Sequence, residues 1–456
     1  MFCDLNDFKQ KMKGKEVAVV GIGVSNTPLI RLLVKYGASV TACDKKLREQ
    51  LGERAEELEQ LGVRLCLGEN YLEDLKGDYL FKTPGMRYDL PELLAFEKEG
   101  GEVLSEMEVF FEICPCKKIA VTGSDGKTTT TSLIFEMMSR AGYICHLGGN
   151  IGKPLLPEIE TIKASDYAIL ELSSFQLHTM KISPQIAVIT NIEPNHLDVH
   201  KSMEEYIEAK QNICRFQEKT DRLVVNFSND ITRETGEKAA AQVTCFSRYS
   251  WLDKGVCYRD GYIYKDGEKI LNTEDIRLPG MHNVENYMTA IAAVWGLVPL
   301  DTIEDVAKHF AGIPHRIEFV RERNGVRFYN DSIASSPTRA MACLNAFYEK
   351  GTKIVMIAGG YDKKIPFDNL GKEITKKVKK LFLVGNTSKK IADAVLQNDP
   401  NFPIEFCQSL EEAVRASCAF STKGDVVALC PACASFDLFP NFEVRGNTFK
   451  QLVNAL

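Results

Sequence analysis

The chain reads as an α/β protein of three domains. A Rossmann-like domain is expected over 1–113, a central P-loop ATPase-like domain with a mostly parallel sheet over 114–313, and a second Rossmann-like domain over 314–456. Three observations predict this. Short apolar runs alternate with stretches of helical periodicity, the pattern of βαβ units. Glycine-rich turns close several of those runs, as at 21–23, 123–126 and 359–360. The pattern also changes twice, around Pro115 and at Gly312-Ile313-Pro314, which sets the boundaries.

The first domain opens with a strand at 16–20, followed by Gly21-Ile22-Gly23-Val24-Ser25-Asn26. A helix carrying Leu29, Leu32, Leu33 and Tyr36 comes next and stops at Gly37. A second strand, Ser39–Cys43, ends at Asp44. An acid at that distance suits a ribose contact, but Asn26 stands where the third glycine of a dinucleotide fingerprint would be. The turn therefore points to a nucleotide or phosphate and not to NAD in particular. A further strand near 78–81 leads into Thr83-Pro84-Gly85-Met86. This is either a plain turn or a loop on the ligand-binding side of an open sheet.

The central domain starts with the stretch around which the chain is organised. The strand Lys118–Thr122 runs into Gly123-Ser124-Asp125-Gly126-Lys127-Thr128-Thr129-Thr130 and then a helix with Leu133, Ile134, Met137 and Met138 on one face. Glycines free backbone N–H groups to turn toward an anion, and the helix start adds partial positive charge. Lys127 suits β- and γ-phosphates, and the Thr128 hydroxyl suits Mg²⁺. The general phosphate-loop pattern has a glycine six residues before the lysine, where this chain has Val121. Two more buried strands end in chemistry: Asp166–Glu171 in a carboxylate, and Ile186–Thr190 in Asn191-Ile192-Glu193-Pro194-Asn195-His196-Leu197-Asp198. In a parallel sheet all three ends share one edge, which predicts an ATP–Mg²⁺ site with Thr128 and Glu171 on metal and His196 as a further ligand. Gly148-Gly149-Asn150 permits close backbone approach to a ligand.

Lys210 falls on the apolar stripe of a helix marked by Met203, Tyr206, Ile207, Ile213 and Cys214. Two readings stand. Its stem packs while the amine reaches water, or the amine points inward with a lowered pKa and reacts with CO₂. Beyond it, strand and helix signals mix up to about 310, and Leu278–Asn286 opens a helix in which Asn283 could serve as N-cap. The last domain has strands at 353–358, 380–384 and 425–429, ending in Gly359-Gly360-Tyr361-Asp362-Lys363, Gly385-Asn386-Thr387 and Cys430-Pro431-Ala432-Cys433-Ala434-Ser435.

Composition narrows the function classes. A hydrophobic share of 45% and a charged share of 26% are those of a folded soluble protein. Net charge of −6 argues against nucleic-acid binding. No apolar run approaches the length of a membrane span, and the first residues lack a leader pattern, so no membrane insertion is expected. Fourteen scattered cysteines suggest free thiols in a reducing cytoplasm. Neither Cys114-Pro115-Cys116 nor the CxxC at 430–433 has the second pair that a zinc site needs.

Taken in order, Thr122–Thr129, Glu171-Leu172-Ser173-Ser174-Phe175-Gln176-Leu177, the Asn191–Asp198 cluster, Gly280–Asn286 and His315-Arg316-Ile317-Glu318 resemble the successive motifs of the Mur ligases. Pro431–Asp437 and Asn441-Phe442-Glu443-Val444-Arg445-Gly446 resemble the D-glutamate-adding members. The resemblance implies an ATP-dependent amide-bond ligase of peptidoglycan synthesis, acting on UDP-N-acetylmuramoyl-L-alanine and D-glutamate through an acyl phosphate. It implies ATP with two Mg²⁺ ions, a carbamate on Lys210, and a monomer. Carried over residue by residue, Lys127, His196 and Lys210 are catalytic. Gly123 to Thr130, Asn286, Arg316 and Asp331 take ATP, and Thr128, Glu171, His196 and Lys210 serve the metals. Val24, Ser25, Asp44, Lys45, Thr83, Gly85 and Asn150 take the UDP-sugar, and Lys363, Ser435 and Phe442 take D-glutamate. In the 330–335 loop, Ile333 and Ser335 stand where some members carry lysine and threonine. A folylpolyglutamate synthase would share the ATP centre but lack the Rossmann-like first domain. An NAD-dependent oxidoreductase would explain Gly21–Gly23 and Asp44 but not the Lys127 loop, and a non-catalytic regulator would be expected to have lost Lys127, Glu171 or His196.

Overall fold

The computed structural model of the chain describes residues 2–23, 25–73, 75–193, 200–348 and 351–456. Two compact units result: Met1–Ile270 with Tyr287–Ile303, and Leu271–Asn286 with Glu304–Leu456. Among the described residues the strands form three sheets, so the fold is α/β with mostly parallel pairing.

The first unit holds two of them. In the first sheet, β1 (Glu16–Val20), β2 (Ser39–Asp44), β3 (Arg64–Leu67), β4 (Tyr79–Phe81) and β5 (Glu102–Leu104) lie in the order β3-β2-β1-β4-β5. All four pairings are parallel. The chain winds outward from β1 to β3 and then returns to start β4 on the other side of β1. That makes the C-terminal ends of β1 and β4 a topological switch point, where open sheets leave a crevice for ligands.

The second sheet comprises β6 (Lys117–Thr122), β7 (Cys145–Gly149), β8 (Tyr167–Glu171), β9 (Ile186–Ile189), β10 (Arg222–Asn226), β11 (Gln242–Ser247), β12 (Val256–Arg259), β13 (Tyr262–Lys265) and β14 (Glu268–Asn272). Its order is β14-β13-β12-β11-β10-β9-β6-β8-β7. Both β8 and β9 flank β6 in parallel, so the three strand ends singled out above do share one edge. Beyond β11 the sheet turns antiparallel at β12 and β13. Helix Glu106–Ile113 carries the chain from the first sheet to β6, and its start is fixed by a reciprocal cap between Ser105 and Glu108. Phe81, Leu104 and Phe110 pack in one apolar cluster with Leu156, Ile159 and Leu170. Each such side chain contributes roughly 1.5–3 kcal/mol on burial.

The second unit is built on β15 (Glu318–Arg323), β16 (Val326–Asn330), β17 (Ile354–Ala358), β18 (Val378–Leu383), β19 (Ile404–Phe406) and β20 (Val426–Leu429), in the order β15-β16-β20-β17-β18-β19. Only β15 runs antiparallel, against β16. The central strands are continuous apolar runs because both faces are covered. Met356, Ala358, Val426 and Ala428 face one cluster, while Val355, Ile357, Val427 and Leu429 face the other. Among the described residues no helix is long and apolar enough to cross a membrane, and the cysteines are free thiols.

Candidate functional site

The phosphate loop leaves β6 at Thr122, whose hydroxyl donates to Leu172 O at 2.8 Å and so anchors the strand end beside β8. Gly123 has φ +147°. A Cβ there would lie 1.9 Å from Thr190 Oγ1, so only glycine fits. Gly126, at φ +78°, turns the chain into the helix Lys127–Arg140. The first bond of that helix is Thr130 N–H to Gly126 O at 2.9 Å, so the N–H groups of Lys127, Thr128 and Thr129 precede the ladder. These are the donors a helix start offers to an anion. The Ser124 and Asp125 N–H groups are both engaged by Asn191. They donate to Asn191 O and Asn191 Oδ1, both at 2.9 Å. The Ser124 hydroxyl donates to Glu193 O at 2.8 Å and lies 3.0 Å from the Tyr206 hydroxyl. The loop is thus braced by the segment after β9 before any ligand is considered.

Two amines converge on one carbonyl. Lys127 Nζ donates to Gly123 O at 2.8 Å and Ser124 O at 2.9 Å. Lys210 Nζ donates to Gly123 O at 2.7 Å, with Thr122 Oγ1 at 3.4 Å. Lys210 belongs to the helix Met203–Arg215 and is only 2% exposed. The snorkelling reading is therefore wrong: Tyr206, Ala209 and Ile213 are buried around it, and the amine points inward. Burial pulls its pKa well below the ordinary lysine range, and Lys127 adds to this, while Glu171 and Asp125 oppose it.

Glu171 ends β8 and is 1% exposed. Its Oε1 accepts from Asn150 Nδ2 at 2.8 Å, whereas Oε2 is buried with no hydrogen-bond partner. A carboxylate oxygen in that state is costly unless a cation completes it, so the donor set fits a hard divalent ion. Asn150 was expected at the sugar site. The structure brings it to Glu171, since Gly149 pairs with Glu171 across the parallel β7–β8 ladder. Gly149 permits this because a Cβ would meet Glu171 O at 2.1 Å. Thr128 is half-buried in the first helical turn, and Thr129 and Thr130 are buried. His196 and Val24 lie outside the described residues.

At the switch point of the first sheet, both oxygens of Asp44 accept backbone N–H groups, from Ile22 at 2.7 Å and Lys46 at 2.9 Å. The carboxylate therefore shapes the Gly21–Gly23 turn. Gly21 lies against Thr83, which a Cβ would approach to 3.1 Å. Ser25, Lys45 and Gly85 are exposed around this crevice, and Thr83 is half-buried.

The second unit gathers Arg316, Asp331, Lys363, Ser435 and Phe442 at the C-terminal edge of β16, β20 and β17, and Asn286 lies in the helix Met281–Val294. Arg316 is exposed between His315 and Ile317, two non-glycine residues at φ +65° and +43°. Strained backbone persists where neighbours over-determine it. Here His315 N–H donates to Glu318 Oε2 at 2.8 Å and Ile317 N–H to Asp331 Oδ1 at 3.1 Å. Burial raises the Asp331 carboxyl to about 7. Asn286 Nδ2 donates to Asn283 Oδ1 at 3.2 Å. Asn283 is not an N-cap: it sits inside the helix Met281–Val294 and donates to Pro279 O at 2.6 Å. Tyr361 N–H donates to Ala434 O at 2.9 Å and so joins the loop of Lys363 to that of Ser435. Ser435 is buried, Lys363 exposed, and Phe442 half-buried against His315, with ring centroids 5.8 Å apart.

Arg445 is the residue that sequence reasoning missed. It lies in the helix Phe442–Ala455, 4% exposed. Its guanidinium donates to Ser332 Oγ (3.0 Å), Ser332 O (2.9 Å), Cys433 O (3.0 Å) and Ala434 O (3.1 Å). One side chain thus clamps the loops that carry Asp331 and Ser435. The signal was present, because Arg445 shares a helical stripe with Phe449 and Val453, as Lys210 does with its apolar neighbours.

Comparison with known proteins gives the family. Residues 121–294 match the Mur ligase middle domain, and 315–433 the Mur ligase glutamate ligase domain. A UDP-N-acetylmuramoylalanine--D-glutamate ligase of Acetivibrio thermocellus is 56% identical, covering 99% of both chains. One of Clostridium botulinum is 49% identical over the whole of both. A UDP-N-acetylmuramate-alanine ligase from Thermotoga maritima shares the fold, with a TM-score of 0.58 at 20% identity, covering 97% of this chain and 99% of that one. With whole-length identity of this order and both domains matched in sequence order, the chain belongs to the Mur ligase family.

Proposed function

We propose that the chain is the ATP-dependent ligase that joins D-glutamate to UDP-N-acetylmuramoyl-L-alanine in the cytoplasmic stage of peptidoglycan synthesis. The observation that carries this reading is the single edge of the second sheet, where the phosphate loop, the half-partnered Glu171 and the buried Lys210 amine come together. Whole-length likeness to ligases named for this reaction supports the choice of substrates. Residues 1–113 are assigned to the UDP-sugar, 114–313 to ATP and 314–456 to the amino acid.

A carboxylate is a poor electrophile, so the alanine carboxylate first takes the γ-phosphoryl group of ATP, and ADP leaves. The D-glutamate amine then attacks the acyl phosphate and phosphate leaves. Lys127 and the first-turn N–H groups hold the β- and γ-phosphates, which is positioning and charge neutralisation more than covalent chemistry. Thr128 and Glu171 would hold one Mg²⁺, and His196 with a carbamate on Lys210 a second. Bound there, Mg²⁺ supplies charge neutralisation on the transferred phosphoryl group. A neutral, desolvated Lys210 amine is the form that takes up CO₂. Asn286, Arg316 and Asp331 contact the nucleotide. Val24, Ser25, Asp44, Lys45, Thr83, Gly85 and Asn150 receive the UDP-sugar. Lys363 offers a cation, Ser435 a hydroxyl and Phe442 an apolar wall to D-glutamate.

The test is phosphate release from ATP with UDP-N-acetylmuramoyl-L-alanine and a panel of amino acids. D-glutamate should support fast turnover alone. Equal or faster turnover with L-lysine or diaminopimelate would overturn the assignment.

A further inference from the structure

Among the described cysteines, two neighbours in sequence stand apart. Cys114 Sγ and Cys116 Sγ lie 3.4 Å from each other, 6% and 2% exposed respectively. They sit between the end of helix Glu106–Ile113 and the start of β6, the strand that ends in the phosphate loop. Beside them is Lys118, itself 6% exposed. Its amine donates to Cys114 O at 3.0 Å and Cys116 O at 3.4 Å, and lies 5.8 Å from the centre of the Phe111 ring. Carbonyls and a ring face satisfy the donors but do not neutralise a buried ammonium. Burial pulls the Lys118 amine below the ordinary lysine range, and the ionisable groups that oppose this are the two thiols.

We propose that Cys114 and Cys116 form a redox dithiol that closes to a disulfide when a small disulfide oxidant is present. The Cys114 thiolate attacks one sulfur of the oxidant RSSR and releases RS⁻, leaving a mixed disulfide. The Cys116 sulfur, losing its proton to the released thiolate, attacks the Cys114 sulfur and displaces the second RS⁻. The protein gives up two electrons and two protons, and RSSR becomes two RSH.

Three features favour this pair over the other thiols. The sulfurs need close by only a little over 1 Å to reach an S–S bond of about 2.05 Å. The Cys114 thiol is held below its ordinary range, first by the Cys116 S–H hydrogen bond and then by Lys118, against burial and the Asp166 carboxylate. That carboxylate is itself occupied by His146 at 3.0 Å and Lys163 N–H at 3.0 Å. A ring spanning one residue is strained, and strained disulfides are the easily reduced, labile kind. The Cys343–Cys430 pair provides a contrast inside the same molecule. Both thiols face the Asp331 carboxyl in the core and both are pushed up, whereas in the 114–116 pair only Cys116 is pushed up and Cys114 is lowered.

The experiment uses the full chain treated with oxidised glutathione or diamide, alkylated, digested without reduction and mapped by mass spectrometry. A peptide lacking two hydrogens and resistant to alkylation at 114–116 is expected, with recovery after dithiothreitol. Cys116→Ser should trap a glutathione adduct on Cys114. Lys118→Met should slow closure on the order of 10-fold near neutral pH and move its pH dependence upward, as expected for loss of a thiolate-stabilising cation. The proposal is overturned if 114–116 remains fully alkylatable once exposed Cys3 has reacted, or if Cys343–Cys430 closes first. The mapping in the unsubstituted chain decides the matter should the Lys118 variant fail to fold.

Discussion

Replacing Lys210 with methionine tests two consequences of one buried amine. Methionine keeps about the same bulk on the helix stripe and removes the charge. In the native chain the amine has a carbonyl at 2.7 Å and a hydroxyl at 3.4 Å. Neither offsets a full charge, so the folded-state pKa falls, burial being the main cause and Lys127 the next. The sign follows from proton counting. Between the lowered folded value and the ordinary lysine value of about 10.4, the unfolded chain binds more protons than the folded one. Folding is therefore penalised below that window and the penalty is relieved as pH rises through it, by at most about 1.4 kcal/mol per pH unit. Lys210→Met lacks this gradient. Its stability should equal or exceed that of the native chain near neutrality, with the gap narrowing as pH rises. Urea unfolding at several pH values in CO₂-free buffer, read as the difference between the two proteins, measures it. Turnover should fall at the same time on the order of 10²-fold or more, as when a preorganised charge is removed, and acetate should restore part of it in Lys210→Ala. Parallel stability profiles would refute the desolvated amine, and a fully active variant would refute its catalytic use.

Three further outcomes are expected. Lys127→Ala should cost on the order of 10²-fold or more in turnover while circular dichroism stays native; near-normal turnover would remove Lys127 from the site. Gly123→Ala should both lower the thermal midpoint and abolish ATP-dependent turnover, because its Cβ would sit 1.9 Å from Thr190 Oγ1 and 3.0 Å from Asn191 O. Arg445→Lys cannot reproduce four donors in a planar fork, so steady-state kinetics should show KM for D-glutamate raised by roughly 10-fold, as for loss of about 1.4 kcal/mol, with KM for the UDP-sugar unchanged. A uniform fall in kcat with every KM unaltered would mean that Arg445 only stabilises the unit.

What the sequence disclosed, and what it did not, follows from the range of the interactions. Strands β1, β8, β17 and β20 were legible because each is an apolar run ended by a local turn or a charged residue. Three hairpins were legible too and went unread. Asp260-Gly261, Asp266-Gly267 and Asn324-Gly325 each place two residues in succession at positive φ, the requirement of a two-residue hairpin turn. They link β12 to β13, β13 to β14 and β15 to β16, the stretch described only as mixed strand and helix and the edge of the last sheet. The pairing of Asn150 with Glu171 belongs to another class. Its residues are 21 apart, and nothing local says that β7 lies beside β8. Lys210 and Arg445 fall between these cases. A cation on an apolar stripe is a local signal, but whether its head turns outward or inward depends on acceptors elsewhere in the chain: Gly123 O for the lysine, and Ser332, Cys433 and Ala434 for the arginine. Those acceptors sit on loops at the C-terminal ends of parallel strands, where backbone carbonyls have left the sheet ladder and need donors. In a parallel α/β chain, then, a basic residue on a buried helical stripe is an inward candidate whenever its helix packs beside such an edge, and the edge is also where ligands bind. The same geometry that hides these side chains from a local reading brings each to the C-terminal edge of its own unit's sheet.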